Sequence, residues 1–122
     1  MKLMDCANAY RAVKGLSQKD VDFNTAFSLV KLERALKPHF TFFVEKELEL
    51  AKEYAKLEDG KIVMGASGFV FQDPSRAEEY NQRHKELEDV SVDDMDKVKV
   101  RLATITPEQL DALDEFVEFE VV

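Results

Sequence analysis

The residues able to do chemistry are few and scattered. Cys6 is the only thiol, and His39 and His84 are the only imidazoles in 122 residues. A nucleophile needs a base and an orienting partner beside it, and no spacing links these three. Cys6 falls on the apolar face of a short helical pattern, where a small core residue belongs. No metal-binding pattern surrounds His84, and His39 is remote from it, so both read as surface or packed histidines. A single cysteine excludes an intrachain disulfide and a multi-cysteine zinc site. Asp93, Asp94 and Asp96 suggest calcium, but the glycine and terminal glutamate of an EF-hand loop are missing. Residues 88 to 96 therefore read as a solvated acidic linker. The run Gly65-Ala66-Ser67-Gly68 lacks the Gly-Lys-Ser/Thr ending of a phosphate loop and reads as a turn. No catalytic residue, cofactor or metal is expected.

One row of charge remains. Lys97-Val98-Lys99-Val100-Arg101-Leu102 alternates strictly, which predicts a strand with Val98, Val100 and Leu102 inward and Lys97, Lys99 and Arg101 outward. It is the only basic row in a chain of net charge −8. One reading pairs it with a second alternating strand, Phe116 to Val122, in which Glu118 and Glu120 oppose Val117, Phe119 and Val121. Such cross-strand pairs contribute well under about 1 kcal/mol each. The other reading turns Lys97, Lys99 and Arg101 toward an anionic partner or small anionic ligand. The acidic balance argues against direct nucleic-acid contact, which needs clustered cations, and leaves room for a basic protein partner.

The segment that must position everything else runs from Phe23 to Leu57. Leu29, Leu32, Leu36, Phe40, Phe43, Leu50, Tyr54 and Leu57 recur in steps of three and four, with one double step across Glu47, and so share one side of a helix. Val44, Leu48, Ala51 and Ala55 widen that stripe at one end, and Phe23, Ala26, Phe27 and Val30 at the other. A stripe this wide is expected to face a core rather than form a narrow coiled-coil seam. Unbroken, the helix would be roughly 50 Å long, against a radius of gyration of about 14 Å for a compact chain of this size. It is therefore expected to protrude, bend at Pro38, or be shared between subunits. Phe40, Phe43, Leu50 and Tyr54 are the candidate oligomer surface, and a homo-oligomer is the expected state.

The other elements follow in order. Leu3, Ala7, Tyr10 and Val13 mark a short helix with Gly15 as its C′ residue, able to fold back on the long one as a helical hairpin. Asp22 is the expected N-cap of the long helix. Glu58-Asp59-Gly60 breaks it, and Ile62 to Met64 and Phe69 to Phe71 flank the glycine-rich turn as a β-hairpin. Asp73-Pro74 opens a further helix, and Thr106-Pro107-Glu108-Gln109 is a capping box opening another through Leu113. The expected class is α+β, mainly α. It comprises one domain over 1–122, with a helical part at 1–57, a hairpin at 60–72, a helix at 74–88, and a strand-helix-strand unit at 97–122. No apolar run is long enough to span a membrane.

Three features together give the chain a familiar order. These are the long acidic helix, from Leu32-Glu33-Arg34-Ala35-Leu36 to Glu53-Tyr54-Ala55, the Glu-Asp-Gly-Lys turn at 58–61, and the ending Ile105-Thr106-Pro107-Glu108-Gln109-Leu110. In these it resembles an uncharacterised family of small phage and prophage proteins. The resemblance implies a phage origin and a place in the host cytoplasm or the virion. It carries over no site residue. The expected function is non-enzymatic: stoichiometric binding that antagonises a host defence, through a protein partner or a captured anionic signal. The competing expectation is an accessory of virion or tail assembly.

Overall fold

A computed structural model describes residues 1–120. Its first helix, α1 (Leu3–Leu16), packs against α2 (Phe23–Tyr54) as a helical hairpin. Asp22 caps α2 as expected, its carboxylate accepting the Thr25 amide at 2.7 Å. Pro38 lies inside a helix that continues on both sides of it. The helix ends three residues earlier than expected, because Ala55 turns extended and enters a β-meander. Gly15 is not a C′ residue. It sits within the last turn of α1, where a Cβ would come 2.9 Å from the Gln109 side-chain nitrogen. Ser17 ends the helix through its bond to the Lys14 carbonyl.

Residues 54–72 fold into more than one hairpin. β1 (Leu57–Glu58) pairs with β2 (Lys61–Ile62) around Asp59-Gly60, and both turn residues have positive φ. That is the type I′ geometry the Asp-Gly pair favours. β3 (Met64–Gly65) pairs with β4 (Gly68–Phe69) around Ala66-Ser67, so the glycine-rich run is a turn. The first and last segments also meet at Ala55 and Phe71. Three amides close a cycle: Lys56 donates to Val70, Val70 to Val63, and Val63 to Lys56.

Asp73 caps a 3-10 turn at Pro74–Arg76, which leads into α3 (Ala77–Glu88), packed on the C-terminal half of α2. The acidic segment after α3 is not a freely solvated linker. Leu3 donates to the Val90 carbonyl and Val92 to that of Met1, so it pairs with the start of the chain. The strand β5 (Val98–Arg101), the helix α4 (Pro107–Leu113) and the strand β6 (Val117–Glu120) form a parallel β-α-β unit. The Thr106–Gln109 capping box opens α4 with Pro107 at its start. The expectation for Val121 lies outside the described residues.

Alanines on α1 let it approach its neighbours closely. Ala9, Ala12, Val13 and Leu16 meet Leu29, Leu32 and Leu36 of α2, and Val100, Leu113 and Phe116 close the core from the other end of the chain. No helix of the described residues is long and apolar enough to cross a membrane.

Candidate interaction surfaces

The basic row forms as the alternation predicts, and two of its members have acidic residues beside them in register. Lys99 lies in register with Glu118 and Arg101 with Glu120, while Lys97 precedes the strand. Lys99 and Arg101 border an open recess of about 710 Å³ at the start of α2, shared with Asp22, Phe23, Phe27 and Glu120. Two cations thus share that recess with two carboxylates. The Asp22 carboxyl is held below its ordinary value, first by the Thr25 amide and side chain, then by the nearby Arg101 charge. An incoming anion meets no excess of positive charge there.

Thr25 is the residue that positions this corner. Its hydroxyl accepts the Arg101 amide at 2.9 Å and faces the Arg101 carbonyl at 3.4 Å, joining α2 to the edge of β5. It is buried, and nothing in its spacing distinguished it from an ordinary first-turn threonine.

The expected oligomer surface is occupied by the chain's own side chains. Phe43, Leu50 and Tyr54 are buried, and Phe40 stacks on Tyr10 of α1 at 4.4 Å. The Arg11 guanidinium covers the Phe40 ring. Tyr54 meets the edge of Tyr80, with the Arg76 guanidinium 4.4 Å above its ring. These four residues line up on the inner face of α2, which α1 and α3 cover along its length. They are not an interface for a second subunit.

The exposed apolar face is the opposite one. Of the flanking residues expected to widen the core stripe, Ala51 and Ala55 are buried and Ala26 half-buried, but five turn outward: Phe23 is 80 % exposed, Phe27 62 %, Val30 43 %, Val44 39 % and Leu48 49 %. All five lie on one side of α2 by their spacing. A second exposed cluster, Phe42 and Val90, edges a groove of about 440 Å³ between α2 and α3. Its charged rim is paired off, Arg83 with Glu53 and Lys46 with Glu49.

The reactive side chains are likewise tied into structure. His84 sits between two carboxylates, Nε2 at 2.7 Å from Glu47 and Nδ1 at 3.3 Å from Glu88. It clamps α3 to α2 as a packed histidine. Cys6 is fully buried beside the Met1 sulfur, and burial pushes its thiol up to about 11. A thiol so protonated is a poor nucleophile. Among the described residues no group of three or more His, Cys, Asp or Glu side chains is placed to hold a metal ion.

No protein-family model matches the chain, and neither the curated proteins nor the solved structures yield a match.

Proposed function

We propose that this protein is a phage accessory protein that works without catalysis, by stoichiometric binding of a host defence protein through the outer face of α2. The observation carrying the binding reading is that face: five large apolar residues held in solvent on a helix whose opposite side anchors the core. Two exposed apolar clusters carried on one face of a rigid helix offer a docking surface. The fixed pairing of His84 and the protonated, buried Cys6 support the non-catalytic reading. The phage origin and the defence target rest on the sequence resemblance alone.

The test is affinity capture from infected and uninfected host cells, with the wild-type chain beside a Phe27→Glu, Leu48→Glu variant. Both sites are exposed, so the variant keeps its core. A host protein held by the wild type and lost by the variant supports the proposal. Tail or head proteins lost in the same way would transfer the function to virion assembly. Equal capture by both chains would overturn the role of this face.

A further inference from the structure

The outer face of α2 has a finer pattern than exposure alone reveals. Phe23, Phe27 and Val30 at one end and Val44 and Leu48 at the other are joined through Arg34, Lys37 and Thr41. Every step along this series is four or three residues, in strict alternation. That is the heptad spacing of a seam that packs against another helix. It runs along one side of a single helix from Phe23 to Leu48, a rise of about 38 Å, and all eight side chains are at least partly open to solvent.

The middle of the seam is basic. Arg34 and Lys37 occupy two successive seam positions, with Lys31 at their border. All three are exposed and form no ion pair among the described residues. In a chain with 25 acidic and 17 basic residues, this concentrates positive charge at the centre of one helix face. Five other cations, Lys14, Lys46, Arg76, Arg83 and Lys85, each have a carboxylate within 3.3 Å, while Arg11 and Lys52 form no ion pair among the described residues.

A second copy of the chain is a poor occupant. Laid antiparallel about the seam's midpoint, it would match Phe23 with Leu48, Phe27 with Val44 and Val30 with Thr41. It would also place Arg34 against Lys37 twice, gathering four cations on the symmetry axis. A parallel copy would place each cation against itself. Like charges at facing seam positions oppose association and select a different partner.

We propose that this seam binds an amphipathic helix of another protein, apolar toward both ends and carrying Asp or Glu at its centre. The proposal rests on the binding reading above and names the partner's chemistry. The apolar ends supply contact area. The carboxylates meet Arg34 and Lys37 in the middle and fix the register, as buried or half-buried charges do in helix pairs.

The experiment uses two fluorescent synthetic helices of about four heptads. Both carry Leu at the end seam positions; one has Glu and the other Lys at the central ones. Anisotropy titrations against the full chain should show the Glu-centred peptide binding at least about tenfold tighter, and more weakly at high salt. Arg34→Glu with Lys37→Glu should reverse that preference, which no general loss of folding can do. Equal affinity for the two peptides, no binding of either, or an unreversed preference would overturn the proposal. Sedimentation showing a wild-type dimer that Leu48→Glu dissolves would overturn it too, by giving the face to a second copy. Suppose a cellular partner is lost by Phe27→Glu, Leu48→Glu but kept by the charge reversal. Then the acidic centre is wrong while the binding function stands.

Discussion

The two halves of α2 are held by different physics. Its N-terminal half lies in an aliphatic core made with α1, α4 and the parallel strands, where Leu32, Leu36, Val13, Leu113 and Phe116 are all but fully buried. Its C-terminal half is clasped by α3, a helix with no buried residue of its own. There the contact consists of rings and charges: Tyr80 against Tyr54, Phe69 and Phe71, His84 against Phe43, and Arg83 against Glu53. A close-packed aliphatic core fails as a unit when a side chain is removed. A clasp in which the partly exposed Tyr80, His84 and Leu87 lie on the buried Tyr54 and Phe43, rimmed by ion pairs, can open while the rest stays folded.

The largest expected effect is therefore in the core. Leu36→Ala should cost about 2–5 kcal/mol, seen as a lower urea midpoint and a loss of amide protection throughout the chain. Tyr80→Ala should cost about 1–3 kcal/mol. Hydrogen exchange should place that loss in α3 and the meander, leaving α1 protected. Uniform loss would mean the two halves form one cooperative unit. Smaller still is the effect of Thr25→Val, a near-isosteric change that strands the Arg101 amide. It should cost about 1–2 kcal/mol and expose β5 to exchange first.

Acid should separate the halves without mutation. The Glu53 carboxyl lies below its ordinary value through its hydrogen bond to Arg83, and Glu79 through its bond to Arg76. A carboxyl depressed in the folded state adds stability above its unfolded value of about 4, and that contribution disappears as pH falls through the folded value. Amides of α3 should thus lose protection below about pH 4 before those of α1. The smallest effect is expected from Lys14→Ala. It removes an exposed pair with Glu33 and should shift stability by under about 1 kcal/mol.

Much of this architecture was legible from local grammar. Asp22, Thr106 and the Asp73-Pro74 pair start helices because their oxygens can accept orphan amides, a signal contained within four residues. The alternation of 98–101 and 117–120 likewise specifies strands, but nothing local reveals that they run parallel. That follows from α4 lying between them as a crossover. The sides of α2 were harder. Phe23, Phe27, Val30, Val44 and Leu48 are apolar enough that hydrophobicity assigns them to the core stripe, although they lie across the helix from it. Only the placement of α1 and α3 shows which angle of the helix is covered. The same limit explains the misassigned Phe40, Phe43, Leu50 and Tyr54. Composition shows that a face is apolar and does not say whether the chain's own later segments will cover it. For Lys99 and Arg101 the alternation indicated which way they point, while their placement beside Glu118 and Glu120 depended on strand register.

The amide cycle at the end of α2 acts as a counting device. Lys56, Val63 and Val70 lie seven residues apart, and each arm between them must return its amide to the right carbonyl. Exposed turns ordinarily tolerate added or missing residues. Here a one-residue change at either turn would shift one corner out of phase and disrupt two of the three bonds. These short, solvent-washed bends are therefore fixed in length, although almost nothing in them is buried.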